Sequence, residues 1–137
     1  MNATLLYRIA GVVLLVFAIG HTFGFLSFKP STPEGLAVLQ GIKTVSFPIG
    51  SAQTTYNRFY VGFGLFVTAF LLFSAFLARH LGALAGHDPH AIGALGWVFF
   101  VLQIASLILS WIYFPAPPIV LSALLAVCVG WAAWLVR

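Results

Sequence analysis

The residues of this chain whose types and spacing could do chemistry are polar side chains set inside long apolar runs. His21-Thr22, Asn57-Arg58 and Gln103, with Ser106 and Ser110 on the turns after it, interrupt stretches otherwise built from Leu, Val, Ile, Phe, Ala and Gly. Inside a bilayer such groups are costly, and they mark ligand sites, ion paths or mutual pairing. Positions 103, 106 and 110 keep helical spacing and so make one polar stripe. Tyr56, Tyr60, Trp111 and Tyr113 stand at the same end of their runs. His21, Asn57, Arg58, Tyr60, Gln103 and Tyr113 are therefore the candidate ligand-binding set. In it Arg58 meets negative charge, His21 and Gln103 orient carbonyl or hydroxyl oxygens, and the aromatic rings flank a ring or chain. The competing reading satisfies each group internally: His21 on a tyrosine, Gln103 on a backbone carbonyl or Ser106, and Arg58 snorkelling to headgroups.

Catalytic constellations are missing from this pattern. The two acidic residues, Glu34 and Asp88, fall on opposite sides of the membrane in the expected topology, so they form no carboxylate pair and no Ser-His-Asp arrangement with His21. His21 alone could shuttle a proton, with Glu34 as an orienting group. A membrane haem needs histidines facing each other at similar depth, whereas His80, His87 and His90 belong to a link far from His21. The His87-Asp88-Pro89-His90 link has too few ligands for a firm metal site and reads as a solvated turn. Cys128 lies alone in the last apolar run and reads as a small core residue. No metal and no cofactor is expected beyond a bound lipid or quinone.

Four apolar runs must position these groups, approximately 5–28, 55–78, 91–114 and 118–136. About 20 apolar residues cross the hydrocarbon core, and each run is long enough. Hydrophobic residues make up 62% of the 137 residues, charged residues 6%, and the mean hydropathy is +1.10. A soluble domain could not hide that much apolar surface, so the expected class is all-α: a four-transmembrane-helix bundle in one domain, 1–137. The first run continues past the length of a signal-peptide core without an A-x-A-like site after it, and is expected to stay as a helix.

Four spans put both chain ends on one side. The other side carries the 29–54 connection and the tight Phe114–Pro118 turn. Lys and Arg divide evenly between the two sides, and the three histidines of the 79–90 link tip the ends towards the cytoplasm. Within the long connection, prolines 30 and 33 stop the first helix, and 34–44 is predicted as a short amphipathic helix with Leu36, Leu39 and Ile42 on one face. Such a helix between two spans lies on the membrane surface or caps the bundle. Small residues mark close helix approach: Gly20 and Gly24 in the first run, Gly62 and Gly64 in the second, and Ser122, Ala126 and Gly130 in the fourth. These serve internal packing, or an oligomer or partner interface where a face points outward. The net charge of +4 comes from isolated cations rather than a stripe, which excludes nucleic-acid binding.

Three strings, Gly20-His21-Thr22-Phe23-Gly24, Tyr60-Val61-Gly62-Phe63-Gly64-Leu65 and Tyr113-Phe114-Pro115-Ala116-Pro117-Pro118, resemble a group of small bacterial four-helix membrane proteins. More loosely, the chain is similar to the DoxX-like proteins. The resemblance implies an all-helical bundle in a bacterial inner membrane and no particular activity; an accessory role beside a quinone-linked oxidoreductase follows from some DoxX-like proteins. The expected function is non-catalytic binding of a lipid-like or quinone-like molecule in a polar pocket in one half of the bilayer. The alternatives are a structural subunit of a larger respiratory or photosynthetic membrane complex, and an enzyme acting on a membrane-soluble substrate. Expected partners are membrane lipids, other membrane subunits or further copies of this chain.

Overall fold

The computed structural model describes residues 2–137. Five α-helices and one small hairpin follow in the order α1 (Ala3–Ser27), α2 (Pro33–Thr44), β1 (Ser46–Ile49), β2 (Ala52–Thr55), α3 (Tyr56–His87), α4 (Leu95–Tyr113) and α5 (Ala116–Leu135). Helices α1, α3, α4 and α5 are each long and apolar enough to cross a membrane. Large apolar side chains stand bare along them, Phe23 at 71%, Phe66 at 75% and Val12 at 62% exposure, the reverse of a soluble surface. The protein is an all-α, multi-pass membrane protein.

Helix ends follow local chemistry. The Asn2 side chain accepts the Leu5 N–H at 2.9 Å and starts α1. Thr32 accepts from the Gly35 N–H at 3.1 Å, Pro33 follows it, and Glu34 and Lys43 sit at the ends of α2 that suit their charges. Pro117 and Pro118 occupy the first turn of α5, where a missing N–H costs nothing. Helix α3 departs most from expectation. It runs nine residues beyond 78, to His87, so most of the expected 79–90 link is helical. Leu81, Ala83, Leu84 and Ala85 favour helix, and the hydropathy break at Arg79 is not a break in helix propensity. The helix ends where Pro89 follows Asp88, and a 3-10 turn, Pro89–Ile92, leads to Gly93 at φ 49° before α4.

Contacts divide the chain into two compact units, residues 1–17 with 71–137, and residues 18–70. In the first unit the core side chains recur at three and four positions: Leu6, Tyr7, Ala10 and Leu14 on α1, Leu71, Ala75, Ala78 and Leu81 on α3. Glycines set the helix spacing. A Cβ at Gly82 would lie 3.3 Å from Tyr7 Cβ, one at Gly96 2.8 Å from the Tyr7 hydroxyl, and one at Gly130 2.6 Å from the Phe100 ring. The Ser122, Ala126 and Gly130 stripe of α5 thus faces inward, and the Ser122 hydroxyl meets that of Ser110 on α4 at 3.1 Å.

The second unit holds the C-terminal part of α1, the connection, and the start of α3. Its hairpin was not visible in the sequence. Ser46 pairs with Thr55 and Ile49 with Ala52, around a Gly50-Ser51 turn in which Gly50 takes φ 58°. Two four-residue strands, one holding Pro48, are too short to show alternation. The hairpin leans on α3 through Phe47, whose ring lies 4.5 Å from Tyr56 and 5.8 Å from Phe59.

Candidate functional site

The second unit carries an open cavity of about 460 Å³ between α2, the end of α1 and the first turns of α3. Helix α2 supplies Gly35, Val38, Leu39 and Ile42, spaced i, i+3, i+4 and i+7 on one face, with Lys43 at the rim. The expected face of Leu36, Leu39 and Ile42 is therefore turned: Val38 lines the pocket and Leu36 does not. Steps of three residues drift by about 60° each on a 3.6-residue helix, so three such positions cannot stay on one narrow face. Phe25, Leu26 and Phe28 of α1, with Pro30, close a second wall, and Asn57, Tyr60 and Val61 of α3 the third.

What holds the α1 and α3 walls together is a set of polar contacts one to two turns away. His21 Nε2 lies 3.1 Å from the Gly64 carbonyl. A carbonyl only accepts, so Nε2 carries a proton. Thr22 and Thr68 hydroxyls meet at 2.8 Å, while Thr22 also reaches the Ala18 carbonyl at 2.7 Å and Thr68 that of Gly64 at 3.1 Å. Two hydroxyl protons serve these three contacts, so two of the three are hydrogen bonds at any one time. Each group is paired within hydrocarbon depth, as membrane burial demands.

Gly64 has a second task. A Cβ there would lie 2.6 Å from the Phe25 ring, so its absence seats Phe25 against α3. Phe25 in turn packs on His21, with ring centroids 5.1 Å apart, and edge-on to Tyr60 at 6.1 Å. The Tyr60 hydroxyl points to the Phe25 carbonyl at 3.4 Å, a long and weak bond.

Four of the six expected site residues, His21, Asn57, Arg58 and Tyr60, lie in the second unit, and Gln103 and Tyr113 in the first. Asn57 and Tyr60 line the cavity. Arg58, one position on and 100° round the helix, lines a shallower groove with Thr54, Phe59, Gly62, Phe63 and Phe66. His21 is held on Gly64 behind Phe25. In the first unit Gln103 is 1% exposed and its Nε2 has no hydrogen-bond partner among the described residues, whereas Tyr113 is 72% exposed. The expected stripe on α4 is also divided, since Ser106 bonds its own helix at the Leu102 carbonyl, 3.0 Å away, and Ser110 bonds Ser122. Sequence reading missed Lys43 and the apolar α2 face as cavity lining. The i, i+3, i+4, i+7 set at 35, 38, 39 and 42 was the available signal, obscured because its first member is a glycine.

The arrangement offers an open apolar pocket with three polar side chains in its lining: a carboxamide and a phenol on α3 and an ammonium on α2. Its volume lies in the range of small-molecule sites. It can solvate a chain or ring and hydrogen-bond one polar end. Among the described residues no three His, Cys, Asp or Glu side chains come together as a metal-binding group. No family model matches this chain, and no curated protein or solved structure matches it.

Proposed function

We propose that this protein binds a lipid-like or quinone-like amphiphile in the cavity under α2, without acting on it chemically. The observation that carries the reading is the composition of that wall. Phe25, Leu26, Val38, Leu39 and Ile42 surround the space, and Asn57, Tyr60 and Lys43 are its polar groups. Asn57 and Tyr60 hydrogen-bond a carbonyl or hydroxyl oxygen of the occupant, Lys43 favours a head of negative charge, and the apolar faces take the chain. His21 is a positioning residue here: through Gly64 it fixes the α1 wall and the Phe25 ring. The membrane in this reading is the bacterial inner membrane, with both chain ends cytoplasmic.

Native mass spectrometry of the full chain, released gently from its own host's membranes, tests this. The expected result is one discrete adduct that is lost in Ile42→Trp, where the indole fills the cavity. Protein free of adduct, or an adduct indifferent to Ile42→Trp, contradicts it.

One observation favours a second reading, a subunit of a larger membrane assembly. A Cβ at Gly20 or at Gly24 would meet nothing within 4 Å, so this GxxxG lies open on α1. Under that reading the chain migrates with other subunits on native gels, and Gly20→Ile releases it.

A further inference from the structure

We propose that the groove at the start of α3 is a separate site for an anionic phospholipid, with Arg58 as its phosphate contact. This goes beyond the cavity under α2, because Arg58 is not part of its lining and the two spaces have no lining residue in common. The groove has a volume of about 240 Å³. Its upper end holds Arg58 and Thr54, and its floor is Gly62 between the rings of Phe59, Phe63 and Phe66.

Charge decides the class of occupant. Neither acidic side chain of the chain, Glu34 or Asp88, lines the groove, and the first turn of α3 contains no acid. Arg58 lies in the first turn of a 32-residue helix, whose N-terminal end carries positive partial charge. Helix end and guanidinium attract the same ion, and an arginine grips a phosphate through two parallel hydrogen bonds.

Depth decides the rest. From Arg58 to Phe66 is about 12 Å along the helix axis, the direction in which an acyl chain leaves its phosphate for the bilayer interior. Phe63 and Phe66 are 64% and 75% exposed, so the lower end of the groove opens to lipid. Gly62 makes the groove, since a Cβ there would meet nothing within 4 Å. A water-soluble anion would use the top of this site and leave the aromatic part bare. A phospholipid fills both.

The test reconstitutes the full chain in nanodiscs of equal phosphatidylglycerol and phosphatidylcholine and counts retained lipids by native mass spectrometry. The wild type is expected to retain phosphatidylglycerol about fivefold over phosphatidylcholine, the preference that one interfacial cation gives. Arg58→Gln lowers the ratio towards one, and Arg58→Lys, which keeps the charge but loses the two parallel hydrogen bonds, gives an intermediate ratio. Gly62→Leu, with Arg58 intact, fills the groove and lowers retention of both lipids. The same Arg58→Gln comparison made in an Ile42→Trp background, where the α2 cavity is blocked, is expected to show the same drop in ratio, so failure of one site is told from failure of the other. An unchanged ratio in Arg58→Gln, or unchanged retention in Gly62→Leu, overturns the proposal.

Discussion

His21 Nε2 donates to the carbonyl oxygen of Gly64 at 3.1 Å, joining α1 to α3 across 43 residues of sequence. The same glycine leaves room for the Phe25 ring, which a Cβ would meet at 2.6 Å. One position thus supplies an acceptor on its backbone and a space where its side chain would be. His21→Ala removes the donor and is expected to cost about 1 kcal/mol, as for a typical buried hydrogen bond. Thermal unfolding in detergent reads this, and His21→Asn, which can still donate, is expected to recover part of it.

The two glycines of Gly62-Phe63-Gly64 are predicted to respond oppositely to alanine. Gly64→Ala drives a methyl group into Phe25 and is expected to destabilise by about 1–3 kcal/mol. Gly62→Ala meets nothing within 4 Å and is expected to stabilise by up to about 1 kcal/mol through helix propensity. Parallel melts of the two variants check the contrast.

Gln103 is buried with an unpartnered amide nitrogen. Replacing it by an apolar residue of similar length removes that donor without opening a hole. Gln103→Met is therefore expected to unfold no earlier than the wild type, and Gln103→Ala earlier, by about 1–3 kcal/mol from lost packing.

Ser110 and Ser122 share a buried hydrogen bond of 3.1 Å between α4 and α5. A double-mutant cycle with alanine at each position is expected to give a coupling of about 0.6 kcal/mol, the average between membrane helices. A coupling near zero would mean that each hydroxyl is as well satisfied by its own helix.

How far the sequence carried these conclusions depended on the length scale of the signal. Spans are written over about 20 residues of hydropathy, so four long helices were readable, and the errors fell where hydropathy and helix propensity part, as at Arg79–His87. Polarity named the residues with chemistry and could not pair them. Asn57 and Arg58 are neighbours in sequence, yet α3 turns them into different spaces. His21 satisfied itself on a backbone carbonyl, which no side-chain pattern marks. The apolar wall from α2 required knowing where that helix folds back, a tertiary fact.

The central claim is that the cavity under α2 holds one amphiphile. Benzoylphenylalanine placed at Val38, which lines the cavity, and separately at Leu36, which does not, tests this by photocrosslinking in native membranes. The account predicts a single small-molecule adduct at Val38 and a mixture reflecting bulk lipid at Leu36. The same adducts at both positions, or a crosslink from Val38 to another protein, would contradict it.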